Sequence, residues 1–144
     1  MNDLKLERLN RVFKYNEKRV LLDWLERFGS RFQTGLIITD PASGDDSIVF
    51  VNNAFTKITG YSFEDVNGKN LRIMHGEDTD QDILRSIDKR LHKGKHVIAE
   101  ILNYKKDGTP FWNELVIQPL VDNEGKILYI ASFILDVTER KKGE

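Results

Sequence analysis

Three β-type runs in the last third of the chain, 96–104, 110–121 and 126–137, limit its fold more than any other feature. They are separated by the turn at Asp107-Gly108 and by Asp122-Asn123-Glu124-Gly125, residues that supply the backbone conformations tight turns need. The chain is therefore expected to double back twice and lay down three consecutive antiparallel strands. Two shorter runs, 35–39 and 48–51, bracket a turn made of Asp40, Pro41, Ala42, Ser43, Gly44, Asp45 and Asp46, which predicts a further hairpin. Between these groups lie helical patterns. One covers 52–59 and closes at Gly60, short turns cover 62–74 with a break at Asn67-Gly68, and 79–93 carries Ile83, Leu84, Ile87 and Leu91 on one stripe before Gly94. The order strand, strand, helices, strand, strand, strand predicts an α+β domain in which a five-stranded antiparallel sheet has helices on one face.

Residues 4–28 have a different character, charged and rich in helix formers. Leu6, Leu9, Val12, Phe13, Val20, Leu21, Trp24, Leu25 and Phe28 recur at mostly three- and four-residue spacing, the pattern of one amphipathic helix or two. Gly29-Ser30 supplies a stop. The expected organisation is an N-terminal helical segment over 1–30, a core over 31–138 and the start of a C-terminal linker over 139–144. The apolar stripe of the first segment either covers the domain's own sheet or meets a second copy, and a homodimer through this helix is the expected assembly.

Composition removes several function classes. With 22 basic against 23 acidic residues the chain has no general attraction for nucleic acid or a membrane surface, so neither is an expected partner. Cysteine is absent, which excludes disulfides, thiolate metal sites and cysteine nucleophiles and is compatible with a cytoplasmic setting. There is no run of about 18 apolar residues to span a bilayer and no basic segment leading into an apolar one at the start. His92 and His96 have the spacing of a helical metal pair, but Gly94 lies between them at a helix-to-strand junction, so solvated histidines are expected. Phosphate-binding glycine loops and nucleophile elbows are missing as well, and an enzyme is not expected.

Asn103 and Asn113 stand out because strand interiors disfavour asparagine and a buried amide needs partners. Across a hairpin at Asp107-Gly108 they could share one sheet face, where two amides could recognise the polar edge of a planar heterocycle; placement on the surface is the alternative. Phe50, Phe55, Tyr61, Phe111 and Trp112 need no such role, since they would pack a small sheet against helices without a ligand.

Four segments, in order, carry a resemblance that runs from residue 35 to 140. They are Val49-Phe50-Val51-Asn52-Asn53-Ala54-Phe55 leading to Thr59-Gly60-Tyr61, GKNLRIMHGEDTD from Gly68, NYKKDGTPFWNEL from Asn103, and Asp136-Val137-Thr138-Glu139-Arg140. Together they resemble the PAS superfamily and, within it, the flavin-binding light-oxygen-voltage (LOV) branch. The resemblance implies a PAS-like sheet, a sensory and signal-transducing role, FMN as cofactor, signalling through flanking helices or dimerisation, and an output domain or partner protein. It places Asn70, Leu71, Arg72, His75, Asn103, Asn113 and Ile134 around the cofactor.

This sequence departs from the family's pattern at four positions. The reactive cysteine of the family falls on Leu71, and no residue elsewhere can replace it because the chain has no cysteine. A flavin-facing glutamine falls on His75, and the glutamine that relays the flavin's change along the last strand falls on Ile134, which can neither donate nor accept. A phosphate-binding arginine falls on Asp88, a repulsive substitution that Arg85 or Lys89 would have to offset. The expected function is thus a sensor that cannot form a cysteinyl-flavin adduct. In one version the pocket near Asn70, Arg72, Asn103 and Asn113 holds FMN and light drives photoreduction with Trp or Tyr as donor. In the other, apolar side chains such as Leu71 and Ile134 fill the pocket, or another small ligand takes it, and the domain is a flavin-free scaffold. A flavoenzyme is the remaining rival and would need a substrate-accessible flavin.

Overall fold

The computed structural model describes residues 33–144, so the helical segment expected over 1–30 and its dimer contact lie outside the described residues. The long C-terminal runs become β3 (Val97–Tyr104), β4 (Pro110–Val121) and β5 (Ile127–Asp136), and the first hairpin becomes β1 (Gly35–Asp40) and β2 (Ser47–Val51). Their spatial order is β2-β1-β5-β4-β3, with antiparallel pairing throughout. The last strand is therefore central, flanked by the first strand and by its own hairpin partner.

The turns form for the reasons their residues imply. Asp107 accepts a bond from Thr109 N at 2.9 Å, and Gly108 takes a left-handed φ of 89°. Asp122 accepts from Glu124 N at 2.8 Å and Lys126 N at 2.9 Å, closing the second hairpin. Between β2 and β3 lie α1 (Asn53–Thr59), α2 (Phe63–Val66), a 3-10 turn at Leu71–Met74 and α3 (Gln81–His92). Asn52 caps α1 by accepting from Phe55 N at 3.0 Å, and the same oxygen accepts from Leu36 N at 2.9 Å, so the helix start is tied to β1. Ser62 and Asp65 form a capping box on α2.

The helical pattern over 79–93 begins later than the periodicity predicts. Asp80 is the N-cap, accepting from Asp82 N and Ile83 N. Thr79 is instead held to the sheet, donating its hydroxyl to Leu102 O at 2.8 Å and accepting from Gly76 N at 3.0 Å. Tyr104 reinforces this tether. Its ring occupies the space a side chain at Gly76 would need, and its hydroxyl accepts from Asp78 N at 3.0 Å.

The sheet divides the apolar residues between its faces. Ile37, Ile48, Val51 and Ile134 meet Phe55, Val66 and Met74 from the helical layer, whereas Leu36, Ile38, Phe50, Leu128, Tyr129 and Ala131 cluster separately. A bulge lets β2 serve both clusters, because the register jumps from Ile38↔Phe50 to Thr39↔Ile48 and leaves Val49 as the extra residue. Ile87 of α3 packs with Val97 and Ile117 to make a third cluster at the β3 edge.

A short helix, α4 (Thr138–Lys142), follows β5 directly. Thr138 Oγ1 accepts from Trp112 N at 2.9 Å and donates to Asp136 Oδ1 at 2.6 Å. Arg140 pairs with Glu100 and Glu114, and the Lys141 ammonium lies 4.6 Å from the centre of the Trp112 ring. Each exposed ion pair contributes little alone, but together with the cation–π contact they orient α4 on β3 and β4. No helix among the described residues is long and apolar enough to cross a membrane.

Candidate functional site

Because the 3-10 turn and α3 do not close completely onto β3, β4 and β5, a cavity of about 420 Å³ remains between them, within the range of small-molecule sites. Its walls are largely aliphatic, with Ile101, Leu115, Ile117 and Ile130 from the sheet and Leu84, Ile87 and Leu91 from α3. All seven residues singled out by the resemblance line it: Asn70, Leu71, Arg72, His75, Asn103, Asn113 and Ile134. Asp88 and Asp46 line it too. Leu71 is half-buried against the cluster that contains the fully buried Ile134, yet the two leave the cavity open.

The two asparagines lie on the sheet side, only 3% and 1% exposed, so the surface alternative is overturned. The register sets Asn103 opposite Phe111 and Asn113 opposite Ile101, which makes the amides diagonal neighbours on one face. Asn113 Nδ2 donates to Asn103 Oδ1 at 2.9 Å, Asn103 Nδ2 donates to Met74 O at 3.3 Å, and Asn113 Oδ1 accepts from Leu135 N at 3.3 Å. The pair thus joins the 3-10 turn, β3, β4 and β5. Two primary amides offer more donor and acceptor capacity than these bonds use.

Asn70 and Arg72, at the cavity mouth, are held by a residue the sequence marked only as part of a turn. Arg72 Nη2 pairs with Asp45 Oδ1 at 2.9 Å, the side chains being 65% and 60% exposed. Asn70 Nδ2 donates to Asp45 O at 2.6 Å, while its Oδ1 accepts from Arg72 N at 2.8 Å as the cap of the 3-10 turn. Neither Arg85 nor Lys89 is among the lining residues, and Arg85 is paired with Asp82 in solvent.

Two histidines near the site are displaced in opposite directions. Burial, assisted by the charge of Arg72, pushes His75 below the ordinary imidazole value of 6.5. A hydrogen bond to the Asp88 carbonyl, then the Asp88 carboxylate, raises His92. His75 therefore favours the folded state above its unfolded pKa, and that contribution is lost as pH falls from 6.5 through the lower folded value. His92 contributes fully below 6.5 and loses its contribution as pH rises through its folded value. Imidazole resonances followed by NMR should show His75 titrating at lower pH than His92; the reverse order would contradict this placement.

FMN can be tested against these residues end by end. The heterocyclic end fits: aliphatic walls would face its rings and the buried amides its polar edge. The phosphate end does not fit. Its expected cation, Arg72, is paired with Asp45 at the exposed mouth, and Asp46 and Asp88 add negative charge.

A family model described as PAS domain matches residues 33–139. Blue-light-activated histidine kinase 1 of Erythrobacter litoralis is 35% identical over 113 residues, covering 76% of this chain and 31% of that protein. A blue-light-activated histidine kinase of Brucella anthropi is 41% identical over 103 residues, covering 72% of this chain and 21% of that protein. The match thus occupies a fifth to a third of those relatives' length. A solved light-oxygen-voltage domain from a mechanistic study with a flavin analogue superimposes with a TM-score of 0.77 at 32% identity, covering 86% of this chain and 89% of that one.

Proposed function

The chain belongs to the PAS domain family and has a LOV-type fold, and from that premise we propose that its cavity holds a planar heterocycle of the flavin class as the input of a non-enzymatic sensory module. The observation that carries this reading is the buried Asn103–Asn113 pair on the wall of an otherwise aliphatic cavity. Each amide keeps donor or acceptor capacity beyond its bonds within the chain, and a heterocycle edge of alternating donors and acceptors is a chemical complement to that capacity. When bound, the heterocycle would supply blue absorption. The protein's part is to enclose its rings, bond its edge and exclude water.

Two elements of the family's photochemistry are missing. Leu71 carries no sulfur, and the chain contains no cysteine, so no thiol adduct forms. Ile134 offers no hydrogen bond from β5, so no side-chain amide at that position can pass a change along the strand. Output on this reading passes through the packing of α4, through homodimer contacts of the N-terminal segment, and into an output domain or partner of the kind found in the histidine kinase relatives.

Absorbance and illumination test the proposal together. Protein passed through gel filtration after incubation with flavin should keep a structured blue band, and blue light should leave no cysteinyl-type single near-ultraviolet band. Leu71→Cys with Ile134→Gln should then bleach in light and recover in the dark. A folded chain that retains neither FMN nor riboflavin would reject the flavin reading in favour of a flavin-free scaffold.

A further inference from the structure

Resting on the reading of the cavity as a flavin-class site, we propose that its mouth selects a flavin with an uncharged tail, riboflavin, over the phosphorylated FMN. Three carboxylates and one guanidinium decide the matter. Asp46 and Asp88 line the cavity from two different elements, the β1–β2 loop and α3. Asp45 adds a third carboxylate and holds the Arg72 guanidinium at 2.9 Å, while its carbonyl occupies Asn70 Nδ2 at 2.6 Å. A phosphate arriving here meets a cation already paired and two further negative charges.

Arg85 and His75 do not reverse that balance. Arg85 is engaged by Asp82, and His75 is held toward its neutral form by burial. His92 Nδ1 lies 3.6 Å from Asp88 Oδ1 and offsets that acid only when protonated, so mildly alkaline buffer isolates the carboxylates. A phosphate monoester carries about −1.5 to −2 charges near neutral pH, and repulsion across a solvated mouth persists over several ångströms. Ribityl hydroxyls behave in the opposite way, since each can donate to a carboxylate in a charge-assisted bond. The same acids that repel a phosphate thus favour a polyol tail.

The test is a pair of titrations of the full chain, one with riboflavin and one with FMN, each followed by flavin fluorescence at low salt in mildly alkaline buffer. Riboflavin should bind at least about tenfold more tightly, and raising the salt should narrow the gap. Asp46→Asn with Asp88→Asn should bring the two affinities together, and asparagine tolerates the left-handed φ of 47° at position 46. Asp45→Asn, which removes the carboxylate paired with Arg72, should tighten FMN and narrow its gap with riboflavin. FMN binding as tightly as riboflavin to the unaltered chain, or a ratio that the double variant does not move, would overturn the selectivity while leaving the flavin site intact. Binding of neither flavin would instead overturn the flavin reading and the selectivity with it.

Discussion

Gly35→Val should destabilise the domain by about 3 kcal/mol or more, the upper end of overpacking in a core. A Cβ at this position would lie 2.5 Å from Ile134 Cγ1 and 3.2 Å from Phe55 Cα. Ile134 is the cross-strand partner of Gly35 and is completely buried, so it has no solvent into which to turn. The Phe55 contact is with backbone, and α1 is anchored to β1 through Asn52, so the helix cannot simply retreat. The requirement is one of space, since the absent side chain is what lets Ile134 fit between β1 and α1. Urea denaturation measures the effect, and Gly35→Ala should cost less, about 1 to 3 kcal/mol. Adding Ile134→Ala to Gly35→Ala removes the crowding Cγ1, so the double variant should lose less than the sum of the two single substitutions, through coupling at the shared contact. Gly35→Val with wild-type stability would show that the strand and helix stand further apart.

Asn113→Leu should cost about 2 to 4 kcal/mol, because it strands two groups at once. Asn103 Oδ1 loses its donor and Leu135 N loses its acceptor, both inside the domain. Leucine is similar in size, so the loss reports hydrogen bonding more than volume. Asn103→Leu on its own removes the other partner, and Met74 O loses a donor. The double substitution should be milder than the sum of the single ones, since removing both amides leaves neither facing an apolar partner. Strict additivity in a double-mutant cycle would mean the two amides do not bond to each other. The single variant should also weaken flavin retention more than its stability loss explains, which a purely structural amide would not do.

These two sites show what a sequence can and cannot disclose. The turns at Asp107-Gly108 and Asp122-Asn123-Glu124-Gly125 act locally, so their residues alone predicted the hairpins; a shared face for Asn103 and Asn113 was one of two readings open in the sequence, and the strand register settles it. Asn70, Leu71, Arg72, His75 and Ile134 were nominated by resemblance, and Leu71 and Ile134 would otherwise read as ordinary core. The hold of Asp45 on Arg72 spans 27 residues and follows no period, so Asp45 read only as a turn residue. Thr79 fits a helical window by its spacing, yet its hydroxyl finds a better partner in Leu102 O, and tertiary bonding sets the boundary. The close approach of Gly35 to Ile134 depends on strand pairing between the two ends of the domain, which no local pattern encodes.

The central position of β5 sets a limit on what it can transmit. It is paired on one side with β1 from Gly35↔Ile134 to Thr39↔Ile130 and on the other with β4 from Asn113↔Asp136 to Val121↔Ile127. Sliding by one residue would carry Ile130, Ser132 and Ile134 out of the cavity and bring Phe133 and Leu135 in, while breaking both ladders. The strand therefore behaves as a fixed rail, and any travel along it is smaller than one residue's rise of about 3.3 Å. If the cavity is a sensory input as proposed, a change passed along β5 would be one of bond occupancy at the end of the rail, where Leu135 N meets Asn113 and Trp112 N meets Thr138. Amide exchange at Leu135 and Trp112 is the observable that would register it, whereas measurements tuned to gross displacement of the sheet would remain silent.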